Sequence, residues 1–93
     1  MSQSQKPTIG RIVHYTLTDS DVALIDQQNP HSGSNRNSVR AGEQYPAMVV
    51  AVFGNGEHAN LKVFLDGGPG ADYWATSRPE GETPGTWAWP PRV

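Results

Sequence analysis

The stretch Met48-Val-Val-Ala-Val-Phe-Gly-Asn-Gly-Glu-His-Ala-Asn-Leu-Lys-Val-Phe-Leu-Asp66 decides the fold class. Met48 to Phe53 is a dense run of β-formers, and from Asn60 onward Leu61, Val63 and Leu65 alternate onto one face. Between the two runs stands Asn55-Gly56, a pair suited to the left-handed conformations of a tight hairpin turn. Two strands joined in this way form an antiparallel hairpin.

Similar signals extend in both directions. Upstream, Gly10 opens a segment carrying Ile12, Val13, Tyr15, Thr16 and Leu17, which predicts a first strand within Ile9–Leu17. Thr18-Asp-Ser-Asp21 follows, with a capping hydroxyl, an acid three residues on and further acidic charge in the first turn. A short helix is expected there, with Val22, Leu24 and Ile25 as its apolar side and Pro30 ending it by Asn29. Downstream, Gly67-Gly-Pro-Gly70 reads as a turn and Tyr73–Ser77 as a fourth strand. Pro79–Pro84 is a loop, and Thr86–Trp89 is a fifth strand closed by Pro90-Pro91. The fold class is therefore mainly β: a small five-stranded bent sheet or SH3-like barrel, with a short helix and a long polar loop inserted after strand 1. An OB-like barrel is the second choice. Residues 1–8 read as a polar leader, 9–93 as one small β domain, and 18–45 as the helix and loop insertion.

Composition narrows the function classes. The chain has 93 residues, no cysteine, and seven Lys+Arg against nine Asp+Glu, for a net charge of −2. That size suits one thin-cored domain, without disulfide staples or thiolate metal cages. The charge balance lacks the basic excess of a duplex-DNA binder. No apolar run approaches the roughly 20 residues of a membrane span, and the start lacks a secretory apolar region. The expectation is a soluble, cytosolic chain with no membrane or duplex-DNA partner.

Candidate binding residues fall into three groups. Trp87 and Trp89 lie two apart, so a strand directs both rings to one face. With Tyr73 and Trp74 nearby they offer a stacking wall for a purine base or a peptide proline, and Tyr45 is a further stacking surface. A thin core also needs large rings, so core packing competes with this reading. Arg36 and Arg40 stand in the acid-free polar stretch 27–42, where a diphosphate could find charge and donors; a solvated linker is the competing reading. Arg11 and Arg78, on strands, are better pre-organised. His14 neighbours Tyr15 in strand 1, and alternation sends one of the two toward the core. His31 and His58, assigned to loops, complete no metal-ligand spacing, so no metal and no other cofactor is expected. Asp66, Asp72, Glu80 and Glu82 fall in turns with no pocket to raise a carboxylate pKa. No nucleophile motif or His–carboxylate cluster is present, so no enzyme activity is expected.

The segments Gly10-Arg-Ile-Val-His-Tyr15, Tyr45-Pro-Ala-Met-Val-Val50, Val63-Phe-Leu-Asp-Gly67 and Gly85-Thr-Trp-Ala-Trp-Pro90 resemble a group of small proteins of tailed bacteriophages and prophages. Those typically open with Gly-x-x-Val-His-Tyr and end in Gly-Thr-Trp-His-Trp-Pro. The likeness covers both ends and the central hairpin, but not the segment from about Thr18 to Glu43. Position 88 departs from the pattern, with Ala88 in place of His. The resemblance implies phage origin, a compact β fold and the host cytoplasm as the place of action. By analogy of life-style, it also implies non-catalytic sequestration of a nucleotide-derived bacterial immune signal, of the cyclic ADP-ribose or cyclic oligonucleotide type. The expected ligand-binding set is Arg11, His14, Arg36, Arg40, Tyr45, Trp74, Arg78, Trp87 and Trp89, with the site between copies of a homo-oligomer. The alternative is a phage structural or adaptor protein that binds another protein through the barrel surface. A module for proline-rich peptides and a single-strand nucleic-acid binder rank below these.

Overall fold

The computed structural model describes residues 6–28 and 36–91. Five antiparallel strands form one curled, half-barrel sheet. They are β1 (Ile12–Thr16), β2 (Gln44–Phe53), β3 (His58–Phe64), β4 (Asp72–Pro79) and β5 (Trp87–Ala88), with α1 (Asp19–Gln28) following β1. Their order across the sheet is β4-β3-β2-β1-β5.

The alternation read from the sequence sets the inner face. Val13 and Tyr15 of β1, Ala47 and Val49 of β2, Ala59, Leu61 and Val63 of β3, and Tyr73 and Ala75 of β4 are all buried. The central hairpin turns at Asn55 (φ 57°) and Gly56 (φ 91°), where the Glu57 N–H donates to the Gly54 carbonyl at 3.1 Å. These are the two successive left-handed residues that Asn-Gly supplies. His58 is the first residue of β3 rather than a loop residue.

Two bulges bend the sheet. On β2 the register shifts between Val49 and Ala51, leaving Val50 exposed and returning Val52 to the core side. On β4, Ala75 pairs with Leu61 but Arg78 pairs with Ala59, so β4 carries one residue more than β3 over this interval. Ser77 takes the left-handed conformation there (φ 55°), and its N–H donates to Asn60 Oδ1 at 2.8 Å. An extra residue changes which face the following side chains meet. Arg78 consequently turns inward.

The sheet curls until its two edge strands approach. Glu80 forms a parallel bridge with Trp87, and the Gly81 N–H donates to the Trp87 carbonyl at 2.9 Å. The Trp87 indole N–H donates to the Arg78 carbonyl at 3.0 Å. Trp87 itself is fully buried and fills the core beside Tyr15, Leu17 and Ile25. Strand β5 is shorter than the sequence suggested, ending at Ala88, so Trp89 lies just beyond it.

Helix α1 starts where the capping signal predicted. The Asp21 N–H donates to Thr18 Oγ1 and the Thr18 N–H donates to Asp21 Oδ2, both at 2.9 Å, a reciprocal capping box. The last residues of the expected leader are part of the packed structure. Pro7 is buried, and Lys6 Nζ donates to the Asn55 carbonyl at 2.7 Å.

Candidate functional site

Seven of the nine candidate residues fall into three places; Trp87 is in the core and Trp74 stands apart on the outer face. Inside the sheet, Asp21 is fully buried at the centre of a polar cluster. Its Oδ2 accepts from the Tyr15 hydroxyl at 2.5 Å as well as from the Thr18 N–H. Its Oδ1 accepts from the Tyr73 hydroxyl at 2.6 Å and from Arg78 Nη2 at 2.9 Å. The Arg78 guanidinium also lies 5.6 Å from the Tyr15 ring centroid. Burial by itself raises a carboxyl pKa. Here the two phenols, the Thr18 N–H and the Arg78 charge outweigh it and hold Asp21 below its ordinary value. The same burial, with Asp21 as acceptor, pushes Tyr73 up to about 12 and Tyr15 higher still. Neither tyrosine ionises near neutral pH.

A second cluster lies under the start of the segment that returns to the sheet. Arg36 was a candidate phosphate ligand, with a solvated linker as the competing reading; its side chain is fully buried and pairs with Asp26 of α1 at 2.5 Å. Its Nη1 donates to the Asn37 carbonyl at 2.9 Å, and its backbone bridges to Gly67. Asn37 continues the clamp, donating through Nδ2 to Asp66 at 2.7 Å. Arg40 is exposed, and its N–H donates to Glu43 Oε1 at 3.0 Å, the same oxygen that accepts the Tyr45 hydroxyl at 2.8 Å. Burial first, and then that hydrogen bond, push Tyr45 up to about 12. His31 lies outside the described residues.

The third place is the outer face where β1 meets β5. Alternation sends Tyr15 inward and leaves His14 half-buried on this face, opposite Ala88. His14, Gln44, Glu82, Ala88, Trp89 and Pro91 line a cavity of about 330 Å³. Arg11, which immediately precedes β1, has its guanidinium 4.9 Å from the Trp89 ring centroid. Trp89 meets the buried Trp87 edge-to-face, with centroids 5.5 Å apart. The two tryptophans thus touch while doing different work, one inside the core and one at its rim. Trp74 takes no part in either place. It is 61% exposed on β4, on a row that runs Ile12–Met48–Lys62–Trp74 across the outer face.

Arg11, His14 and Trp89 are therefore the candidates that the fold brings together. Asp21 and Tyr73 were missed as partners of Arg78, and Gln44 and Glu82 as residues lining the same cavity as His14. The Thr18-x-x-Asp21 spacing marked the carboxylate only as a helix cap. Among the described residues no group of three His, Asp or Glu side chains could hold a metal ion. Among the described residues no helix is long and apolar enough to cross a membrane. Comparison with known proteins finds no matching family model, no matching curated protein and no matching solved structure.

Proposed function

We propose that the protein is a non-catalytic binder of a nucleotide-type ligand, using the outer-face cavity between β1 and β5. The observation that carries this reading is a cavity lined by the Trp89 indole, the His14 imidazole and the small Ala88, with the Arg11 guanidinium lying over the Trp89 ring. A base stacks on Trp89 and His14. Gln44 and Glu82 offer hydrogen-bonding groups at the rim, and Arg11 neutralises a phosphate. A cavity of about 330 Å³ lies at the small end of ligand sites and suits one nucleoside unit. A cyclic dinucleotide or cyclic ADP-ribose would extend beyond it, so a second copy of the chain completes the site. Phage origin and a role in removing a host immune signal are part of the same proposal, supported by the sequence resemblance alone.

The test is thermal unfolding against a panel of cyclic dinucleotides, cyclic ADP-ribose isomers and linear dinucleotides. A ligand at 100 times its dissociation constant adds roughly 2.7 kcal/mol, which moves Tm by several degrees in a domain of this size. A selective shift that is lost in Arg11→Ala supports the reading. A flat panel removes it.

The adaptor reading has its own observation. Ile12, Val50, Phe64 and Trp74 are all exposed large apolar residues of the sheet, and Ile12 and Trp74 share one cross-strand row. Exposed apolar side chains on a sheet face suit a protein partner. Co-purification with assembled particles, lost on Trp74→Ser, is the outcome expected of it.

A further inference from the structure

Helix α1 is joined to the sheet more by polar groups than by an apolar stripe. Of its ten residues only Asp21 and Ile25 are buried, while Leu24 is exposed. Asp21 is the residue that reaches deepest. Three of the four donors around its carboxylate belong to the sheet and not to the helix: Tyr15 of β1, and Tyr73 and Arg78 of β4. Two hydroxyls and a guanidinium aimed at one point are the donor set of an oxyanion receptor.

The sheet departs from regular geometry to build this set. Without the left-handed Ser77 and its bulge, Arg78 would stand on the outer face. The guanidinium is also incompletely used. Arg78 Nε is buried with no hydrogen-bond partner among the described residues, because the Asp21 carboxylate engages Nη2 alone. A tetrahedral oxyanion has the extra oxygen needed to take Nη2 and Nε together. With its side chain 26% exposed, Arg78 is reachable from solvent.

We propose that Tyr15, Tyr73 and Arg78 form a phosphate-binding cradle, and that Asp21 is its tethered occupant. Helix α1 is then a latch: a phosphate dianion entering the cradle displaces the carboxylate and frees the N-terminal turn of the helix. The carboxylate is held at high local concentration, so the intact chain binds phosphate weakly and only through its open fraction. This cradle is separate from the outer-face cavity, sharing no lining residue with it, and each proposal can fail alone.

The test is rescue of an emptied cradle. Asp21→Ala is titrated with inorganic phosphate and with a nucleoside monophosphate, at matched ionic strength in chloride, following Tm. The expected result is a saturable rise in Tm, with phosphate binding Asp21→Ala at least tenfold more tightly than the unaltered chain. The rise must vanish in Asp21→Ala/Arg78→Met. Tighter binding of the monophosphate than of free phosphate identifies a phosphate ester as the occupant, and equal binding identifies phosphate itself. No saturable rise, or an equal rise in the double variant, overturns the proposal. If Asp21→Ala does not fold, hydrogen exchange on the unaltered chain carries the test. Millimolar phosphate must speed exchange of the α1 amides relative to those of β3, and unchanged exchange overturns the proposal.

Discussion

Arg78 and Arg11 stand at the two margins of the same sheet and are treated in opposite ways. Arg78 follows a bulge on β4, turns inward and meets a buried carboxylate at 2.9 Å. Arg11 precedes β1, stays exposed and lies over an indole at 4.9 Å. The inner arginine is fixed by charge in a place where water is scarce, so its pairing is tied to the integrity of the fold. The outer one rests on an aromatic face in contact with solvent, where such a contact contributes little to stability and can be exchanged for another partner. At the inner margin the arginine already holds a carboxylate of its own chain; at the outer margin it rests on an aromatic ring.

The sharpest way to break this contrast is to remove the residue that creates it. Deleting Ser77 cancels the extra residue on β4 and sends Arg78 to the outer face, leaving Asp21 without its cation. This deletion should destabilise the protein more than any point substitution, and urea denaturation with far-ultraviolet circular dichroism measures it. Asp21→Ala comes next. It removes four hydrogen bonds and leaves Arg78 inside without a counter-charge, for a loss of about 3–5 kcal/mol in the same measurement. The lower end is expected, since Arg78 keeps some access to solvent. A loss below about 1 kcal/mol would show that the inner cluster does not hold the fold together.

These two variants also mark where the sequence was legible. The hairpin was readable because Asn55-Gly56 and the alternation of Leu61, Val63 and Leu65 are local signals. The capping box was readable for the same reason. The bulges were not, because Val50 and Ser77 each add one residue without any change of composition. Nor was the pairing of Asp21 with Arg78, which spans 57 positions and depends on that second bulge. Arg36 looked solvated because its stretch holds no acid, yet its partner Asp26 sits ten positions back, on the preceding helix. On the outer face, alternation in β1 showed that one of His14 and Tyr15 points inward, but the pairing of His14 with Ala88 depends on a cross-strand register that no local signal carries. The contribution of Gln44 and Glu82 had no sequence signature.

Acid should separate the two margins next. Asp21 has a folded pKa below its ordinary value of 3.8. Its contribution is therefore complete above that value and is lost as the pH falls through the lower, folded value. Stability should hold from neutrality down to about pH 4 and then decline, and Asp21→Asn should flatten that decline. At the alkaline end the sign reverses. Tyr73, raised to about 12, contributes fully below the ordinary phenol value of 10.0 and loses its contribution as the pH climbs toward 12. Tyr73→Phe should make this alkaline limb shallower in pH-dependent denaturation curves.

Thr18→Ala is expected to cost about 1 kcal/mol, the usual consequence of losing a helix cap. Its informative readout is local. Because Thr18 N–H and Tyr15 O–H share the same Asp21 oxygen, losing the reciprocal cap should raise hydrogen exchange in α1 and leave the β2–β3 hairpin protected. Equal loosening of both would mean that α1 and the sheet unfold as one unit.

The smallest expected effect on stability comes from Arg11→Ala, and that smallness is the point of comparing it with Arg78. Removing a guanidinium that rests on the half-exposed Trp89 should change stability by less than about 1 kcal/mol. If Arg11 instead serves a ligand phosphate, the same substitution removes a charge-assisted hydrogen bond worth about 1.5–3 kcal/mol, or at least tenfold in affinity. Stability and binding should therefore part company at Arg11, whereas the loss of Arg78 alone also lowers stability, because it leaves the buried Asp21 without its counter-charge. A large loss of stability in Arg11→Ala would place both arginines in the same structural role.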